Sequence, residues 1–115
     1  MSGMYGRITK PGRLLQSALG AFNIGDATRC SIIARRARTY RRKMEEACSY
    51  EWAQGDAWDR SVERLERSIE SAVAQLGHGY GVEFSGDPRG ACVFIKTPDG
   101  RTDDWGRRGI CALQD

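Results

Sequence analysis

Between Asp26 and Leu76 apolar residues recur at steps of three and four on both sides of a Gln54-Gly55 break. That pattern predicts two amphipathic helices folded back on one another. In the first half the seam is Cys30, Ile33, Ala37, Tyr40, Met44 and Ala47, with Cys48 and Trp52 widening it near the end. Asp26 is the expected N-cap, and Gly55 suits the left-handed position after a helix. In the second half Trp58, Val62, Leu65, Ile69, Ala72 and Leu76 form the more regular seam, with Asp56 as the expected cap and Gly77 as the stop. So short a connection requires an antiparallel pair, placing Trp58 beside Met44, Ala47 or Cys48. Arg60, Glu63, Arg64, Glu66, Arg67 and Glu70 then read as a solvated face of mixed sign, with Glu63 and Arg67 paired at i,i+4.

Residues 1–25 read as an N-terminal arm. Its Arg13–Phe22 segment is expected to form a short helix with Leu14, Leu15, Ala18, Leu19 and Phe22 on one face. After Gly77 the apolar period changes from helical to two. Tyr80, Val82 and Phe84 alternate with polar or small residues, and a second strand follows over residues 91–97, with Val93 and Ile95 on one face. Arg101 to Trp105 is a candidate third, edge strand, with Ile110, Cys111 and Leu113 returning to the core. The expected fold is therefore α+β: an antiparallel helical hairpin packed against a small two- or three-stranded antiparallel β-sheet. Its parts are the arm (1–25), the hairpin (26–76) and the β-hairpin region (77–115), forming a single domain over 1–115, the size expected of a chain this long.

Charge is distributed unevenly. Residues 1–43 hold ten basic residues against one acid, a net +9; residues 44–115 hold eight against fourteen, a net −6. Most of the excess sits in Arg35, Arg36, Arg38, Arg41, Arg42 and Lys43. On a helix Arg35, Arg38 and Arg42 share a stripe, Arg36 and Lys43 share another flank, and Glu45 and Glu46 can pair with Arg41 and Arg42. Guanidinium groups bind phosphate bidentately, so this cluster is the first candidate site, for nucleic acid or an acidic partner. Asp87, Asp99, Asp103 and Asp104, with Glu83 and beside Trp105, form the rival surface, one that could imitate phosphate. Both also admit a bland account, since charges populate solvated helix faces and Asp is a common turn residue.

Other chemistry finds little support. The four cysteines form no C-x-x-C pair and His78 is the sole histidine, so neither a zinc site nor a Cys–His nucleophile is expected. Gly77, Gly79 and Gly81 lack the Lys-Ser/Thr of a P-loop. A protein without enzymatic activity or cofactor is expected. No apolar run reaches membrane-spanning length, and MSGMYGRITKPGRLLQSALGAF is too interrupted for a secretory leader. A cytoplasmic protein with no membrane partner is expected.

The segments RRKMEEACSYEWA, RLERSIESA, YGVEFSGDPRG and TPDGRTDDWG, spread over roughly residues 38–110, resemble small accessory proteins of bacteriophages and prophages. The resemblance implies an interaction protein that binds and inhibits a host defence or nucleic-acid-handling complex, as anti-CRISPR proteins act on CRISPR-Cas, working in the host cytoplasm. It carries no site residues over. The alternative is a sequence-independent nucleic-acid-binding protein using the arginine-rich helix; a homodimer joining basic and acidic faces is the third arrangement the charge allows.

Overall fold

The computed structural model describes residues 12–21, 23, 25–77, 79–85, 93–100 and 109–113. Three helices precede three short strands: α1 (Arg13–Leu19), α2 (Asp26–Ser49), α3 (Asp56–Ala74), β1 (Gly81–Phe84), β2 (Val93–Lys96) and β3 (Ile110–Cys111). The strands form one antiparallel sheet in the order β1-β2-β3. The α+β class and the helical hairpin follow the sequence pattern. The third strand does not: it is Ile110–Cys111, residues expected only to return to the core, whereas 101–108 lie outside the described residues.

Both seams are buried largely as their spacing dictates. Cys30, Ile33, Ala37 and Tyr40 of α2 join Ile69, Ala72 and Val73 of α3, Leu76 beyond it, Leu15 and Leu19 of α1, and Val93 and Ile95 of β2 in a single core. Ile33, Ile69 and Ile95 are wholly buried, one each from α2, α3 and the sheet. Burial of such a side chain stabilises by about 1.5–3 kcal/mol. Phe94 is buried too, on the sheet face opposite Val93 and Ile95, so β2 is covered on both sides. Within α1, Leu15 and Leu19 face the core, but Leu14 is 46% exposed. Phe22, His78 and Cys92 lie outside the described residues.

The helix ends differ from the sequence expectation. Asp26 is the first residue of α2, not its cap. Gly25 holds the cap position at φ 91°, with no side-chain capping bond. Asp26 is instead nearly fully buried, and its carboxylate accepts the Asn23 N–H at 2.7 Å, closing the turn into the helix. Asp56 likewise opens α3 behind Gly55 without a capping bond. At its far end α2 stops at Ser49, because Tyr50 turns extended (φ −129°, ψ 134°). Trp52 therefore leaves the helix and the core; Ala53 is buried at the turn instead, and Cys48 is exposed.

Two glycines allow close approach. Gly12, at φ 89°, lies against the Cys30 carbonyl, where any Cβ would overlap backbone; this brings α1 onto α2. Gly109, at φ 128°, lies against the Ile95 carbonyl and lets β3 enter beside β2. Among the described residues no helix is long and apolar enough to cross a membrane. Truncation of Ile69 to Ala is expected to cost about 2–5 kcal/mol, read as a lower urea midpoint. Truncation of exposed Arg64 to Ala is expected to stay within about 0.5 kcal/mol of the parent.

Candidate functional site

The six-residue basic cluster does not act as one patch; α2 distributes it around its circumference. Arg36 and Lys43, seven residues apart, lean over α3. The Arg36 guanidinium donates from Nη1 to the Ser68 carbonyl at 2.7 Å, and Lys43 Nζ donates to Ser61 Oγ at 3.1 Å. Ser61 Oγ donates in turn to the Trp58 carbonyl at 2.7 Å, tying Lys43 to the first turn of α3. Arg41 pairs with Glu45 at 3.0 Å, as its i,i+4 spacing predicts. Arg38, Arg41, Arg42 and Glu45 flank a shallow hollow beside Leu113. Arg42 forms no ion pair with Glu46, contrary to its spacing, and Arg35 is likewise unpaired among the described residues. Arg29 belongs elsewhere, 4.0 Å from the buried Asp26 carboxylate.

The two contacts from Arg36 and Lys43 fix which side of α3 meets them. Ser61, Arg64 and Ser68 stand at i, i+3 and i+7 and so share a stripe. Arg64 is exposed between two serines that α2 touches. Its neighbours at three and four positions are Arg60, Ser61, Arg67 and Ser68, with no carboxylate among them. Tyr40 marks the opposite side: its hydroxyl donates to Glu66 Oε2 at 3.0 Å and its ring lies 5.1 Å from that of Phe84 on β1. Glu66 is nearly half a turn round α3 from Ser68.

Two surfaces of opposite sign result. Asp59, Glu63, Glu66 and Glu70 follow one stripe on the Tyr40 side. Arg64 stands on the other, between the serines that Arg36 and Lys43 of α2 reach, with Arg60 one turn before it; by helical spacing Arg35, Arg42 and the acid Glu46 follow on the outer side of α2. Arg67, next along, pairs with Glu63 at 3.6 Å. The basic face continues toward α1, where Arg13 and Arg35 flank a groove of about 520 Å³. Thr28 and Ser31 also line it, and no carboxylate does among the described residues. The sequence pattern alone presents Arg60 and Arg64 as part of one mixed-sign face of α3. The available signal was local: acids and arginines follow separate three-and-four rhythms, and Arg64 has no acid three or four positions away.

Where α2 gives way to α3 the basic face meets aromatics. Lys43 Nζ sits 4.4 Å from the Trp58 ring centroid, a cation–π contact. Trp58 meets Trp52 edge-on at 5.7 Å, and Trp52 stacks on Tyr50 at 5.4 Å with 19° between the rings. Trp52 is 63% exposed and Tyr50 54%. On the acidic side of this tip a cleft of about 400 Å³ opens between Met44, Trp58 and Val62, edged by Asp59 and Glu63.

The rival acidic surface is described only in part. Asp99 is exposed in the turn after β2, and Glu83 lies 3.8 Å from Lys96 across the β1–β2 pair. Asp87, Asp103, Asp104 and Trp105 lie outside the described residues. Among the described residues no group of three His, Cys, Asp or Glu is placed to hold a metal ion. Burial, reinforced by the Asp26 charge, pushes the Cys30 thiol from 9.0 to about 11. Burial first, then the hydrogen bond and charge of Glu66, pushes the Tyr40 hydroxyl well up. Comparison with protein-family models, curated proteins and solved structures finds no match to this chain.

A thiol with a raised pKa is protonated and shielded at neutral pH. Iodoacetamide treatment of the native protein should modify exposed Cys48 and spare Cys30 until urea is added, as peptide mass mapping would show. Because the Cys30 pKa is raised, its contribution to stability is full below 9.0 and is lost as pH climbs through about 11. Thermal melts should therefore fall in this alkaline window, and less steeply in Cys30→Ala.

Proposed function

We propose that this is a non-enzymatic binding protein that engages the phosphate backbone of nucleic acid, without reading base sequence, through the outer face of the α2–α3 hairpin. The observation that carries this is the reach of Arg36 and Lys43 from α2 to Ser68 and Ser61, the two serines that flank exposed Arg64 on α3. A set of like charges drawn from two helices has little use in stabilising a fold, because like charges repel. It has a use when a polyanion neutralises it and releases counterions. Arg36 and Lys43 are already held by α3, so less side-chain freedom is lost on binding.

Affinity for duplex DNA should fall steeply with salt, by a log–log slope of about −0.9 per phosphate neutralised. Arg35→Glu combined with Arg64→Glu should abolish the gel shift, whereas Arg41→Gln, on the paired side of α2, should leave affinity within about twofold (well under 1.4 kcal/mol). Absence of any shift at low salt, or binding that survives the double reversal, removes the reading.

A second reading is favoured by the aromatic tip. Exposed Trp and Tyr beside cations have the composition of a protein-interface anchor. With the phage resemblance, this supports a protein that docks on a host defence or nucleic-acid-handling complex, CRISPR-Cas among them, and blocks it. Protection of phage infection by the wild-type chain, lost in Trp52→Ala but retained in Arg64→Glu, is the result expected of that reading alone.

A further inference from the structure

Lys43 belongs to two surfaces at once. Its ammonium group donates to Ser61, inside the basic face, and sits over Trp58, at the base of the aromatic cluster. Lys43 therefore links the arginine face, through Trp58, to the stacked pair Tyr50 and Trp52. Its α2 flank from Arg36 to Lys43 spans roughly 10 Å of helix rise, a short line of charge that ends on two exposed rings.

We infer that the nucleic acid taken by this face is single-stranded. Its phosphates follow Arg64, Arg36 and Lys43, and its unpaired bases stack on the exposed Tyr50–Trp52 platform. This rests on the nucleic-acid reading above and narrows it. In a duplex the base faces are buried in the helical stack, so an exposed aromatic pair gains nothing from it. An unpaired strand presents a π-face at every base, and aromatic side chains capture those faces whatever the sequence. Charge directs the strand as well. The cleft on the other side of the tip is edged by Asp59 and Glu63, which repel phosphate. Along this path Arg36 and Arg64 have no carboxylate three or four positions away on their own helices, and Glu46, three residues past Lys43, is the one acid of α2 beside it. Tyr50 and Trp52 are already stacked on one another, so the platform exists before the ligand arrives.

The test compares fluorescence anisotropy of labelled oligo-dT and of a labelled duplex of matched length at low salt. The full chain is measured alongside Trp52→Ala, Tyr50→Ala and Arg64→Glu. Both aromatic residues are more than half exposed, so the variants should fold, and circular dichroism melts verify this. Oligo-dT should bind about tenfold tighter than duplex, and Trp52→Ala should remove about tenfold of that affinity while leaving duplex binding unchanged. Arg64→Glu should weaken both ligands, and oligo-dT should quench tryptophan emission in the parent more than in Trp52→Ala. Equal affinity for the two ligands, or a Trp52→Ala effect that is nil or the same on both, overturns the single-strand inference and leaves backbone binding standing. Binding of neither ligand overturns both, and leaves the aromatic tip to a protein partner.

Discussion

The rotation of α3 about its own axis, relative to α2, decides which surface each charge of α3 joins. Three kinds of contact set it. Ile69, Ala72 and Val73 must face the core shared with Ile33 and Ile95. Tyr40 holds Glu66 on the side where Phe84 packs. Arg36 and Lys43 reach Ser68 and Ser61 on the other. The apolar term is the largest, since each buried aliphatic side chain contributes about 1.5–3 kcal/mol and a hydrogen bond to a charged group about the same or less. The polar contacts act as guides on either side of a packing-driven interface. A rotation by one residue would bring carboxylates toward Arg36 and Lys43 and take an isoleucine out of the core.

With that rotation fixed, the hairpin separates charge. The acids of α3 fall on the Tyr40 side, and Arg64 falls on the side that Arg36 and Lys43 of α2 touch. An isolated helix with such stripes would gain a few tenths of a kcal/mol from pairs such as Glu63–Arg67 and would have no net face. Packing converts two stripes of one helix into halves of two different surfaces. The N-terminal excess of positive charge in the sequence is therefore not the whole of the basic face, since Arg60 and Arg64 come from the half with net negative charge.

The end of α2 is the second place where a local event has a wide consequence. Three to four more residues of helix would have carried Trp52 round toward the core, as the apolar pattern suggests. The extended Tyr50 backbone stops the helix first, and the buried Ala53 closes the turn in its place. The aromatic side chains are thereby left stacked on one another at the tip, next to the lysine that ends the basic face.

The sequence by itself determined the helical hairpin, its antiparallel sense, the faces of both seams, the change to strands after Gly77 and the Arg41–Glu45 and Glu63–Arg67 pairs. All of these depend on neighbours within a turn or two of chain, where periodicity and turn chemistry act. It did not determine that Asp26 would be buried instead of capping, that β3 would be Ile110–Cys111, or that the Arg36 and Lys43 flank would be the one to meet α3. Nor could it place Arg64 beside Arg36, although the absence of any acid three or four residues from Arg64 was visible. Those outcomes depend on how one element rotates and docks against another. That is set by the summed packing of side chains distant in sequence, which no window along the chain contains.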